Sequence, residues 1–173
     1  KTLVSINLGI STAQSGEKTL IIESDLRRPR IHKALNLDPE HGIEDVLRGD
    51  LSVEEARCTT PIENLYILPC PNPPDHPAEL LHSSDFRNLI NSAEQSYDRV
   101  ILDSPPTTSV SDALIMSRCV DGVIILTRFE KTDRNALAHT IDQFEAIDAP
   151  VIGYIANEVD SNISGYGYYY DYS

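Results

Sequence analysis

The chain has 173 residues, 40% of them hydrophobic and 24% charged. That is one domain's length at a globular composition, which excludes a wholly disordered chain. Lys and Arg number 14 against 27 Asp and Glu, a net charge of −13, so the surface repels phosphate backbones and anionic lipid and disfavours a nucleic-acid partner.

Lys1-Thr2 opens onto a helical pattern with Leu3, Ile6, Leu8 and Ile10, broken at Gly16. Residues 19–22 form a short apolar run, and so do 65–68, 100–102, 122–127 and 151–156. Each is rich in Ile, Val, Leu or Tyr and lacks alternation, as strands buried on both faces do in a parallel sheet. Residues 41–61 read as short helices rather than strand. Five prolines at 69, 71, 73, 74 and 77 exclude regular structure between them and give a rigid loop. Residues 84–94 carry Phe86, Leu89 and Ile90 at helical spacing, with Ser83 or Ser84 as N-cap. Residues 110–119 are a further helix, with Ser109 or Ser111 as cap. Residues 132–147 space Leu137, Ile141, Phe144 and Ile147 at intervals of three and four. Strand and helix alternate, so the expected fold is α/β, a doubly wound and mostly parallel sheet with helices on both faces. The expected organisation is one domain over 1–160 and a flexible tyrosine-rich tail over 161–173.

No apolar run approaches the roughly 20 residues needed to cross a bilayer, and no signal peptide opens the chain. Cys58, Cys70 and Cys119 form no CxxC unit and the five histidines are scattered. Neither a disulfide framework nor a thiolate zinc site is supported, which fits a soluble, cytosolic domain.

Two apolar runs end in acids: Leu20-Ile-Ile-Glu-Ser-Asp25, followed by Leu26-Arg-Arg-Pro-Arg30, and Val100-Ile-Leu-Asp103. Ligands of open α/β sheets bind outside the carboxyl ends of the strands. Carboxylates there suit Mg²⁺, which takes hard oxygen ligands from few protein groups, and the arginines beside the first pair suit phosphate. A single Asp at a strand end is also an ordinary turn residue, and the arginines equally fit a solvated turn. Lys-Thr at the start of a helix matches the end of a phosphate-binding loop, where the Thr hydroxyl meets Mg²⁺.

Taken in order, these stretches resemble the bacterial tyrosine kinases, relatives of the division-site and partitioning P-loop ATPases. Residues 20–30, with Asp-Leu-Arg-Arg-Pro, are similar to that family's Walker A′ segment. Gly42-Ile-Glu-Asp-Val-Leu-Arg-Gly49 and the run from Leu65 through Pro77-Ala-Glu-Leu-Leu81 resemble its next two stretches. Asp98-Arg-Val-Ile-Leu-Asp-Ser-Pro-Pro106 resembles its Walker B. Ser111-Asp-Ala113, the strand after Asp121 and residues 153–157 follow in the family's order. Glu23 departs from the Asp usual at its position, and the family pattern calls for a strand and a glycine-rich loop directly before Lys1.

The resemblance implies transfer of the γ-phosphoryl of ATP to tyrosine, with ATP and Mg²⁺ as cofactors. Lys1 would contact the β/γ phosphates, and Thr2, Asp25 and Asp103 would hold the metal. Glu23 would stand where an acid accepts the tyrosine proton, one methylene too long. Arg27 and Asn157 would contact the nucleotide, Asn157 at the adenine, although Asn also favours turns. Tyr166, Tyr168, Tyr169, Tyr170 and Tyr172, five of eight tyrosines, would be autophosphorylation sites used in trans within a ring. The alternative for this cluster is a tail that packs on its own domain or forms a sticky patch. Implied partners are a membrane-embedded polysaccharide co-polymerase as activator and a cognate tyrosine phosphatase. The chain would then act at the inner face of the membrane in exopolysaccharide or capsule synthesis. Two other functions fit the same motifs: a partitioning or division ATPase, and a degenerate nucleotide-binding scaffold.

Overall fold

The computed structural model describes residues 1–106 and 112–159. The chain is α/β, with helices packed on parallel strands, and divides into two compact units, Lys1–Cys119 and Val120–Ser173.

In the first unit, α1 (Thr2–Gln14) leads to β1 (Thr19–Glu23). The short helices α2 (Ile31–Ala34), α3 (Ile43–Arg48) and α4 (Val53–Ala56) follow, then β2 (Cys58–Thr59) and β3 (Leu65–Leu68). Helices α5 (Pro77–His82) and α6 (Ser84–Ser96) precede β4 (Arg99–Asp103), and α7 (Asp112–Met116) with a 3₁₀ turn (Ser117–Cys119) closes the unit. The strands lie in the order β2-β3-β1-β4. β1 pairs in parallel with β3 and β4, and β2 is antiparallel to β3.

The five expected strands and the three long helices form where the apolar runs and helical spacings place them. Every residue of β1 is buried, the state its unbroken apolar run demands. Ile21 and Ile67 pack with Ile6 and Ala13 of α1, while Leu20 and Ile22, turned the other way by the pleat, are equally buried. Each such side chain contributes about 1.5–3 kcal/mol. Ser83 caps α6, its hydroxyl accepting from Phe86 N at 3.2 Å. Helix α5 begins at Pro77, where a missing N–H costs nothing.

Three elements depart from expectation. Residues 58–59 add a short antiparallel edge strand where only helix was expected. The four-residue α2 and the six-residue α5 are too short to show a helical period.

In the second unit β5 (Val123–Arg128) and β6 (Val151–Asn157) pair in parallel, joined by α8 (Arg134–Glu145). Asp133 caps α8, accepting from Ala136 N at 2.9 Å, and the helix buries its own Phe144.

Two features of the first unit yield predictions. A Cβ on Gly42 would lie 2.3 Å from the Pro69 carbonyl oxygen and 2.5 Å from Pro71 Cδ, and Ile43 N donates to that same carbonyl at 2.8 Å. Gly42→Ala is therefore expected to destabilise the fold by about 1–3 kcal/mol, read as a lower urea midpoint. Burial also pushes the Cys70 thiol from 9.0 up to about 12, with Glu23, Glu44 and Asp25 adding to the shift. It pushes the Tyr97 hydroxyl from 10.0 to about 12, against the pull of Arg57. The unfolded chain releases these protons first as pH rises. Their contribution is whole at neutral pH and is lost as pH climbs from about 9 towards about 12. Urea midpoints measured across that window should fall, and less steeply in Cys70→Ala.

Candidate active site at the carboxyl ends of β1 and β4

The parallel register sets Glu23 of β1 directly opposite Asp103 of β4, so two acids stand at neighbouring strand tips. Ser24 N donates to the Asp103 carbonyl at 3.0 Å and holds that register one residue further.

Asp103 is 2% exposed. Its Oδ2 accepts from Thr2 Oγ1 at 2.7 Å and its Oδ1 from Ser5 Oγ at 2.9 Å. Both hydroxyls come from the first turns of α1, three residues apart and so on one face. Lys1, at the N-cap of α1, sends Nζ to the Ser104 carbonyl at 2.8 Å and lies 3.9 Å from Asp25 Oδ2. The side chain of Asp25 is 15% exposed, and its Oδ1 accepts from Arg28 N at 3.2 Å. The fold thus brings Lys1, Thr2, Asp25 and Asp103 together, and adds Ser5, which the sequence reading missed.

Glu23 is differently placed. It is 1% exposed. Its Oε1 accepts from Arg30 N and from Ile31 N, the latter at 2.6 Å. Its Oε2 lies 3.1 Å from His32 Nδ1 and accepts from Cys70 N at 3.2 Å. A carboxylate has about four acceptor positions, and these four partners fill them. Glu23 ties the tip of β1 to the start of α2 and to the loop after β3. The extra methylene spans that gap.

Arg27 Nε pairs with Asp112 at 3.1 Å, and the Asp112 side chain is 2% exposed. Asn157 ends β6 in the second unit, where its carbonyl accepts from Phe129 N at 2.8 Å. Tyr166, Tyr168, Tyr169, Tyr170 and Tyr172 lie outside the described residues.

Among the described residues, no group of three or more His, Cys, Asp or Glu is placed to hold a metal ion. The donor set of Thr2, Asp25 and Asp103 is all oxygen with two carboxylates. That fits Mg²⁺, which takes one or two carboxylates and fills its shell with water and substrate phosphate. Among the described residues no helix is long and apolar enough to cross a membrane.

A family model described as an AAA domain matches residues 1–151. The tyrosine-protein kinase ptk of Acinetobacter johnsonii is 36% identical over 166 residues, 96% of this chain but 23% of the relative. The tyrosine-protein kinase YwqD of Bacillus subtilis is 34% identical over 170 residues, 98% of this chain and 72% of that protein. Among solved structures, the kinase domain of the Escherichia coli tyrosine kinase ETK superposes with a TM-score of 0.88 at 30% identity, covering 99% of this chain and 67% of that one. The chain spans under a quarter of the Acinetobacter protein and most of the Bacillus one. It belongs to the AAA-domain family and, within it, to the bacterial tyrosine-protein kinases.

Proposed function

We propose that this chain is the catalytic domain of an ATP-dependent protein-tyrosine autokinase. Its reaction is transfer of the γ-phosphoryl of ATP to Tyr166, Tyr168, Tyr169, Tyr170 and Tyr172 of another subunit. The observation that carries the reading is the meeting of Lys1, Thr2, Asp25 and Asp103 at the tips of β1 and β4, in a chain of this family.

Phosphoryl transfer asks a protein mostly for positioning and charge compensation. In this reading Lys1 neutralises the β/γ phosphates. Thr2, Asp25 and Asp103 would hold Mg²⁺, and Arg27 would contact the nucleotide. Bound Mg²⁺ would offset charge on the phosphate oxygens. Before nucleotide enters, the hydroxyls of Thr2 and Ser5 satisfy Asp103 and keep its carboxylate aimed at the mouth of the site.

The base role that the resemblance gives Glu23 needs an open lone pair, and its four partners leave none. We assign Glu23 to positioning, and proton acceptance to Asp25, the partly exposed carboxylate. The engagement of Glu23 also favours a second reading, a nucleotide-binding scaffold without phosphotransfer.

The domain would comprise residues 1–160 and the substrate tail residues 161–173. It would act as a ring at the inner face of the membrane with a polysaccharide co-polymerase, reset by a tyrosine phosphatase, in exopolysaccharide or capsule synthesis.

Incubation of the full-length protein with ATP and Mg²⁺, followed by anti-phosphotyrosine detection, should give a strong signal. In Asp103→Ala it should drop by about 100-fold or more, with the circular dichroism spectrum retained. No signal in the parent protein would leave the scaffold reading, and an undiminished signal in Asp103→Ala would remove Asp103 from the site. Glu23→Asp shortens the reach to Arg30 N, Ile31 N and Cys70 N. It should lower stability by about 1–3 kcal/mol and leave phosphotransfer no faster. A faster rate at unchanged stability would return Glu23 to the base role.

A further inference from the structure

A groove of about 660 Å³ lies beside this site, lined by Arg27, Arg28, Arg30 and Lys33 and walled by Pro71 and Pro73. These four cations are among only 14 in a chain with 27 acids. A carboxylate is plentiful in this chain, yet among the described residues only Arg27 of the four pairs with one, Asp112. Among the described residues none forms an ion pair with Arg28, Arg30 or Lys33. All four are exposed.

The segment is also held before any ligand arrives. Arg28 N donates to Asp25, and Arg30 N and Ile31 N donate to Glu23. Pro29 between them is buried and fixes its own φ. Guanidinium groups on a preorganised backbone bind phosphate bidentately at reduced entropic cost. The proline rings add a flat apolar wall of the kind an aromatic ring covers. Cations facing a wall of proline rings match an aryl phosphate better than a bare anion.

We propose that the groove binds phosphotyrosine, and that its occupant is the phosphorylated segment 166–172 of this chain. That segment carries five tyrosines, one Asp and no cation, and each phosphate adds about −1.5 to −2 charges near pH 7. The groove starts two residues past Asp25, so a product phosphate repelled by Asp25 and Asp103 meets the arginines next. The proposal rests on the autokinase reading and deepens it: the groove retains the product.

The test uses full-length protein with its five tail tyrosines changed to Phe, saturated with Mg-ADP. The probe is a fluorescent peptide of residues 164–173, either unmodified or phosphorylated at Tyr169 and Tyr170, titrated by anisotropy. The phosphorylated peptide should bind about tenfold or more tighter, as one or two charge-assisted pairs provide. The preference should vanish in Arg28→Glu/Arg30→Glu while Mg-ADP binding persists. Free phosphotyrosine should displace the peptide at lower concentration than inorganic phosphate at equal ionic strength. Equal affinity of the two peptides, a preference that survives in the double variant, or equal displacement by inorganic phosphate overturns the proposal. Equally tight binding of an unrelated phosphotyrosyl peptide overturns the choice of segment 166–172. No step of the assay needs phosphoryl transfer, so its failure leaves the kinase reading standing, and an inactive kinase would not change its outcome.

Discussion

Glu23 sits at 1% exposure in the middle of the sheet's carboxyl edge. A buried carboxylate is tolerated only when its acceptor positions are met, so three backbone N–H groups and an imidazole converge on it. Those donors belong to the start of α2 and to the residue after Pro69, segments with no ladder of their own. The Arg27–Arg30 turn and the proline loop are therefore placed by one side chain of β1. Gly42 lies against the Pro69 carbonyl, which locks the far side of the same loop. Arg30 N donates to Glu23 and Arg28 N to Asp25, and the side chains of Arg27, Arg28 and Arg30 line the groove.

The three acids of this edge share a location and differ in what surrounds them. Asp103 meets two hydroxyls, which are readily displaced or retained by an incoming metal shell. Asp25 meets one backbone N–H and an ammonium 3.9 Å away, and its side chain is 15% exposed. Glu23 is enclosed. Sequestering one among backbone donors leaves two for chemistry.

The sequence carried the strands plainly, because a central parallel strand must be apolar throughout, and residues 19–22 and 65–68 are. It carried Asp25 and Asp103 because acids that end such runs stand at the ligand edge of an α/β sheet. It carried less of what depends on reach. The four-residue α2 exists through bonds to Glu23, which no periodicity announces. Residues 58–59 become a strand only because β3 offers an open edge. Ser5 did leave a signal, since a hydroxyl three residues after Thr2 shares its face of α1. The longer side chain of Glu23 looked like a misfit for catalysis. The structure shows what the length spans, and that was readable only once Arg30, Ile31 and Cys70 were seen around it.

The charge balance of −13 acquires a different meaning at this edge. Taken over the whole surface it argues against any polyanionic ligand. Screening confines such effects to about 8 Å at physiological salt, so what a phosphate meets is the local set of charges. Around Asp25 and Asp103 that set is acidic and is balanced by Lys1 alone among the cations described there. A few residues along the chain it is Arg27, Arg28, Arg30 and Lys33. A neutral tyrosine hydroxyl loses little by approaching the acids, whereas the same residue bearing a dianion is driven from them and drawn to the arginines. In the proposed autokinase, the charge gained on phosphorylation would move the preferred position of a tail tyrosine between two neighbouring regions. Such a separation in the proposed autokinase would let each modified tyrosine leave the acids before the next enters.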